Sequence, residues 1–200
     1  MARLEFTDTP LAGLKLVQRK PIEDMRGYFS RFFCAAEFAS AGIENKISQI
    51  NHSQSKQAGT LRGVHFQLPP HAECKFISCI RGEIFDVAVD LRKGSPTFLH
   101  WYGEQLSAAN QRSLLIPEGF GHGFQTLTND CEILYLVSAA YEPGAERAIN
   151  AMDTMVNIKW PLPVAEISEK DRNCPLLSSD FQGIDLGGPD QVIPYTTGAD

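Results

Sequence analysis

Apolar and polar positions alternate in short runs along this chain, broken roughly every eight to twelve residues by turn-forming residues, and that pattern predicts an all-β sandwich or barrel. Strands are expected at Leu14–Pro21, Tyr28–Phe33, Ile47–His52, Leu61–Gln67, Lys75–Arg81, Ile84–Asp90, Leu99–Leu106, Ser113–Ile116, Gly123–Leu127 and Glu132–Ser138. Ile84–Asp90 alternates most cleanly: Phe85, Val87 and Val89 fall on one face, and Asp86, Ala88 and Asp90 on the other. Asp24-Met25-Arg26-Gly27 and Leu91 to Thr97 read as turns. Ala35–Ala41, ended by Gly42, is the helical candidate ahead of the barrel. The periodicity fades after Trp160-Pro161-Leu162-Pro163. One domain is expected over residues 1–185, with a loosely held tail over 186–200 and no internal repeat.

Composition narrows the class. With 200 residues and 43% hydrophobic content, the chain can bury a full core. A net charge of −6 without a basic stripe argues against a nucleic-acid binder, although a few arginines in a cleft could still hold an anionic small molecule. No apolar run approaches membrane-spanning length. The N-terminal residues lack the apolar stretch of a signal peptide. The five cysteines (Cys34, Cys74, Cys79, Cys131, Cys174) are odd in number and form no C-x-x-C pair. A soluble cytoplasmic protein is the expectation, with neither a nucleic acid nor a membrane as partner.

The richest chemistry lies in Thr60 to Gln67, where Arg62 and His65 offer a cation and a base that titrates near neutrality. Strict alternation would separate the two; a bulge at Gly63 could turn both inward. The alternative is a hydrogen-bonded core histidine beside a surface arginine. Lys75 shares parity with Ile77 and Cys79, so it is either an edge residue in water or a cation poised against an anion such as an enolate. Tyr135, inside an apolar strand, reads as core filling or as a proton donor.

Pro117, Gly119 and His122 have a spacing that resembles the second motif of cupins, where a tight turn presents a histidine at the barrel mouth. Metal cupins carry H-x-H in the first motif, whereas this chain has His65-Phe66-Gln67, with Glu73 further on. Losing one imidazole leaves a poor ligand set for a transition metal. A cupin or jelly-roll β-barrel without metal, with a few short peripheral helices, is the expected fold.

Arg26-Gly27-Tyr28-Phe29, Asn51-His52-Ser53, Leu61 to Gln67, Phe85 to Arg92, Ser95 to Phe98, Ile116 to Phe120, His122-Gly123-Phe124 and Ser168 to Asp171 occur in this order. In that set the chain, from about Pro10 to Pro175, resembles the dTDP-4-dehydrorhamnose 3,5-epimerase family. The resemblance implies a cofactor-free homodimer that inverts C3, C5 or both in a 4-keto-6-deoxy sugar linked to a nucleoside diphosphate. By the matching motifs, His65 is the base, Asp171 orients it, Lys75 holds the enolate oxygen, and Tyr135 returns a proton from the other face. The same match makes Arg26, Gln49, Asn51, Arg62, His122, Glu146 and Lys170 binding residues and Tyr141 the aromatic that stacks on the base. Guanidinium groups suit a diphosphate.

The chain departs from the family at Arg31, where an acid is usual, and at Ile50, Ser78, Leu115 and Ala140. Arg31 therefore joins the candidate binding residues with reversed charge, and a guanosine or cytidine diphosphate sugar is expected to bind at least as well as the thymidine form. Two other functions stay open: a metal-dependent cupin enzyme such as a dioxygenase, and a non-catalytic cupin that binds sugar nucleotides. The second would be expected to lose His65, Tyr135 or Asp171, and all three are present. Because Gln67 stands in the H-x-H slot, turnover is expected to survive EDTA, and purified protein to hold no stoichiometric metal by elemental analysis. Loss of turnover on chelation, restored by Fe²⁺ or Zn²⁺, would favour the metal-cupin reading.

Overall fold

The computed structural model describes residues 2–44, 46–187 and 193–195. Within them the chain forms, in order, β1 (Leu4–Asp8), β2 (Lys15–Arg19), β3 (Ile22–Asp24), β4 (Gly27–Phe29), α1 (Ala35–Ser40), β5 (Gln49–Ser55), β6 (Thr60–Gln67) and β7 (Lys75–Arg81). There follow β8 (Glu83–Asp90), β9 (Trp101–Ser107), β10 (Arg112–Ile116), β11 (Phe120–Thr126), β12 (Cys131–Val137), β13 (Glu146–Ala148), β14 (Glu166–Ile167) and α2 (Glu169–Arg172).

One sheet has the order β1-β2-β10-β7-β12-β5; the other runs β13-β6-β11-β8-β9, with β14 alongside β6. All pairs are antiparallel except β14 with β6. Side chains alternate across a strand, so each sheet has two faces to cover. The inner core includes Leu14, Ile77, Ile84, Leu106, Leu114, Phe124 and Ile133. Outside the second sheet, Leu61, Val64, Phe66, Val87 and Val89 pack beneath Ile149, Val156, Leu177, Phe181 and Ile184. Outside the first, Val17, Phe76, Leu115 and Leu136 pack with Phe38 of α1. The Phe38 ring meets Phe6, Phe33 and Phe76 edge to face at 4.8–5.3 Å. Burying a ring of that size stabilises the fold by about 2–3 kcal/mol.

The expected all-β architecture holds, and so does the alternation of β8. Its Asp86–Ala88–Asp90 face does not meet water, however: all three residues are fully buried, because they point between the sheets while Val87 and Val89 pack outward. The strand expected over Tyr28–Phe33 stops at Phe29. Its first residues pair with β3 in a two-stranded hairpin, and Phe32 lies beneath the Arg19 guanidinium, 4.1 Å from ring centroid to Cζ. The tail reading needs correcting at 193–195: Ile193 is buried, Leu177 bridges Tyr195, and the Tyr195 hydroxyl donates to the Ala148 carbonyl at 2.6 Å. Residues 188–192 and 196–200 of that expected tail lie outside the described residues. No helix among the described residues is long and apolar enough to cross a membrane.

Asp90 closes the end of β8. It accepts from the Arg92 amide and guanidinium and from the Ser95 and Thr97 hydroxyls, at 2.6–3.1 Å. Burial alone would raise its carboxyl, but the bonds from Arg92, Ser95 and Thr97 outweigh burial and bring it down to about 2. A depressed carboxyl stabilises the fold above its unfolded pKa and loses that contribution as pH falls through the folded one. Asp90→Asn is therefore expected to cost about 2 kcal/mol in urea unfolding at neutral pH. The difference from the parent protein should shrink as pH falls from about 4 toward 2.

Candidate active site

β6 and β11 run side by side, and their register slips once. His122 faces His65 and Phe124 faces Arg62, so Gly63 and Val64 together oppose the single residue Gly123. Gly63 sits at φ +106°, and a Cβ there would lie 2.6 Å from the Gly123 Cα and the His122 carbonyl oxygen, so only glycine fits. This bulge restores the parity that strict alternation would break. Leu61, Val64 and Phe66 face the outer core, while Arg62 and His65 both line one cavity. The expected inward turn at Gly63 is what the chain adopts.

That cavity, about 650 Å³, opens between the two sheets. His65 Nε2 donates to Asp171 Oδ1 at 2.6 Å, and the Gly63 amide donates to Asp171 Oδ2 at 3.3 Å. Asp171 is held in α2, where Ser168 caps the helix by accepting from the Asp171 amide. Burial works to raise the Asp171 carboxyl; the bonds from His65, Gly63 and Ser168 outweigh it and hold the group below its ordinary range. A carboxylate so placed fixes the imidazole's tautomer and stabilises its protonated form.

Lys75, on β7, is 9% exposed. Its ammonium donates to the His65 carbonyl and pairs with Glu73, both at 3.2 Å. Across the barrel on β12, the Tyr135 hydroxyl is hydrogen-bonded to Ser53 at 2.8 Å. Burial, with Asp86 adding to it, pushes the Tyr135 phenol up to about 12 against the opposing effects of Ser53 and Arg62. The phenol thus keeps its proton through the neutral range. Base and phenol stand on different sheets, His65 on one and Tyr135 with Lys75 on the other.

Of the expected binding residues, Gln49, Asn51, Arg62, His122, Tyr141 and Lys170 line the cavity. Arg62 is anchored to the Ser55 hydroxyl and the Gln54 carbonyl on β5. Tyr141 stands at the rim, 56% exposed. Its hydroxyl donates to Glu146 at 2.9 Å, and Lys170 pairs with the same carboxylate at 2.5 Å, so Glu146 serves the rim from behind.

Two of the expected residues, Arg26 and Arg31, lie outside this chain's own cavity. Arg26 lies on the exposed β3–β4 turn and pairs with Asp24 at 2.6 Å. Arg31 is bonded to Glu37 at 2.6 Å, and the same carboxylate caps the amides of Arg3 and Leu4. Its charge is spent against α1, so it is not a free cation facing a ligand. Ile50, which neighbours Asn51 on β5, takes the opposite face and is 64% exposed.

Asp86 was legible only as one polar step in an alternating strand, yet it accepts from His122 Nε2 at 2.8 Å deep in the barrel. Its Oδ2 has no hydrogen-bond partner. Burial raises its carboxyl, with His122 and Lys75 opposing. Ser53 appeared in a motif without a role. Both residues act through a partner, which period-2 patterning cannot reveal.

No group of three or more His, Cys, Asp or Glu side chains that could hold a metal ion occurs among the described residues. Nε2 of His65 and of His122 each bonds a carboxylate, and Gln67, in place of a second imidazole, bonds to backbone groups.

A family model described as dTDP-4-dehydrorhamnose 3,5-epimerase matches residues 8–179. An enzyme of that name from Shigella flexneri is 43% identical over 166 residues, which is 82% of this chain and 91% of the relative. The crystal structure of a dTDP-4-dehydrorhamnose 3,5-epimerase from Bacillus anthracis, with TDP and PPi bound, superposes with a TM-score of 0.84 at 39% identity, covering 87% of this chain and 99% of that one. The Legionella pneumophila dTDP-6-deoxy-D-glucose-3,5-epimerase, in complex with dTDP-4-keto-L-rhamnose, gives 0.83 at 35% identity, covering 98% of this chain and 100% of that one.

Proposed function

Since the chain belongs to the dTDP-4-dehydrorhamnose 3,5-epimerase family, we propose that its cavity epimerises a 4-keto-6-deoxy sugar carried on dTDP. The observation that carries this reading is the convergence of His65, Lys75 and Tyr135 on one cavity from two facing sheets. Both C3 and C5 of such a sugar lie next to the ketone, so loss of either proton leaves an enolate. His65 takes the proton, and Asp171 steadies the imidazolium that results. Lys75 lies against the enolate oxygen, where a preformed charge in a dry site acts strongly. Tyr135 delivers a proton from the opposite wall, which inverts the carbon; the phenolate then recovers the proton from His65 through solvent. Positioned acid–base groups each contribute about 10²- to 10⁴-fold.

Arg62 suits the diphosphate, and Tyr141 with Gln49, Asn51 and Lys170 suits the nucleoside. Thymine is the proposed base. Two of the departures expected to disfavour it, Arg31 and Ile50, do not line the cavity, which leaves Ala140 as the change beside Tyr141. The five cysteines are free thiols, in keeping with a reducing compartment.

A homodimer is part of this proposal. The β3–β4 hairpin exposes Ile22, Met25, Tyr28 and Phe29, and the edge strand β5 exposes Ile50. Apolar groups exposed on a hairpin and on a strand edge favour association over solvation. A second copy could bring Arg26 to the neighbouring cavity. Light scattering at micromolar concentration is expected to give twice the 22.1 kDa chain mass, and a monomer would overturn the dimer.

The reaction is tested by incubating the dTDP-linked 4-keto sugar in D₂O and reading deuterium at C3 and C5 by NMR, with the GDP and CDP analogues alongside. The parent protein is expected to exchange and invert, most rapidly with dTDP. His65→Ala should abolish both exchange and inversion, because no enolate forms. Tyr135→Phe fills nearly the same volume; it should still exchange, with configuration retained, because His65 returns its proton to the face it came from. A folded, substrate-binding Tyr135→Phe that neither exchanges nor inverts would overturn this assignment of base and acid.

A further inference from the structure

We infer that Gln67 is a positioning residue for nucleotide recognition, its carboxamide fixing the segment that presents Tyr141 at the cavity rim. Gln67 points inward at the end of β6 and is 4% exposed. Its Oε1 accepts from the Glu142 amide at 2.6 Å, and its Nε2 donates to the carbonyls of Ala140 at 3.2 Å and His71 at 3.0 Å. The amide orientation is dictated by its partners, since one N–H needs an acceptor and two carbonyls need donors. Ala140 and Glu142 are the two chain neighbours of Tyr141, so one side chain holds the backbone on both sides of it.

The clamp matters because little else fixes this ring. The Tyr141 side chain is more than half exposed and lies outside the hydrophobic clusters. What orients it is the set of hydrogen bonds around it: the amide of Tyr141 to Gln49, its hydroxyl to Glu146, and its flanking peptides to Gln67. An exposed ring can stack on a base without further ordering cost only if its backbone is already in place. Gln67 stands where a metal cupin would place a second ligand, and here that position serves the backbone of the recognition segment.

The inference rests on the nucleotide-sugar reading, so the parent protein is measured first: calorimetric binding of dTDP and turnover of the dTDP-linked 4-keto sugar. If it shows neither, the reading fails and the inference falls with it. With the parent active, Gln67→Ala is expected to raise Kd for dTDP and KM about tenfold, with kcat within about threefold of the parent, the pattern of lost uniform binding. Gln67→Met keeps the unbranched shape and nearly the same volume while losing all three hydrogen bonds, so it should match the alanine variant; it also carries the test if the alanine variant does not fold. Two further readouts separate positioning from general loosening. Gln125 is fully buried and makes an analogous pair of bonds with Leu162 at 2.9 Å, away from Tyr141. Gln125→Ala should lower Tm while leaving KM unchanged. In a Tyr141→Ala background, Gln67→Ala should raise KM no further, because groups acting through one another are not additive. Unchanged KM in both Gln67 variants, an equal rise in Gln125→Ala, or additive effects with Tyr141→Ala would each overturn the inference.

Discussion

The site depends on one carboxylate that ties the backbone of β6 to the imidazole. Where β6 bulges, the Gly63 amide leaves the ladder to β11, and a buried amide without a partner would cost about 1–3 kcal/mol. Asp171 accepts it with one oxygen and His65 with the other. The backbone irregularity that brings Arg62 and His65 to the same face therefore also fixes the imidazole. Gly63 and Gly123 permit this because the two strands approach more closely than any Cβ allows.

Around that contact the barrel has two unlike regions. One is dry, filled by Ile77, Ile84, Leu106, Leu114 and Ile133. In the other, the same inward positions on the same strands carry Lys75, Asp86, His122 and Tyr135. Buried charges are tolerable when paired, and the pairs are visible: Lys75 with Glu73, His122 with Asp86, His65 with Asp171. The unmatched oxygen of Asp86 is an exception within this network. The strands thus supply a rigid frame, and the ends of β6, β7, β11 and β12 supply the chemistry, which keeps the reacting groups in place without help from mobile loops.

The alternation of β8 and the turn residues bounding β7 and β12 marked these strands, because such signals are local. Parity grouped Lys75 with Ile77 and Cys79 but left open whether it faced water, and the structure turns it inward. The His65–Asp171 contact spans 106 residues; no periodicity reports it, and it came only with the family resemblance. β13 and β14 escaped detection because strands of three and two residues carry too little pattern; β6 imposes their conformation by pairing with them. Arg31 shows the opposite failure. Charge reversal at one position suggested a role in binding, but Glu37, six residues on, neutralises that charge. Ile193 and Tyr195 follow a stretch rich in Gly and Pro that reads as tail, and long-range packing overrides that local signal.

Asp171 and Tyr135 reach opposite ends of the scale from a shared starting condition. Burial disfavours the charged form of both. For Asp171, three donors reverse the effect and keep it a carboxylate. For Tyr135, the bond to Ser53 does not suffice, and the neighbouring Asp86 reinforces burial. One group is thereby held as an anion that can steady a protonated imidazole, and the other as a neutral donor. Groups whose surroundings push them apart in this way mark the acid and base sides of a proton-transfer site. Here the separation arises because hydrogen bonds and the charge of His65 outweigh burial at Asp171, whereas burial dominates at Tyr135. In the proposed reaction, proton flow from substrate to His65 on one wall and from Tyr135 to substrate on the other rests on an ionised carboxylate behind the imidazole and a neutral phenol on the facing sheet.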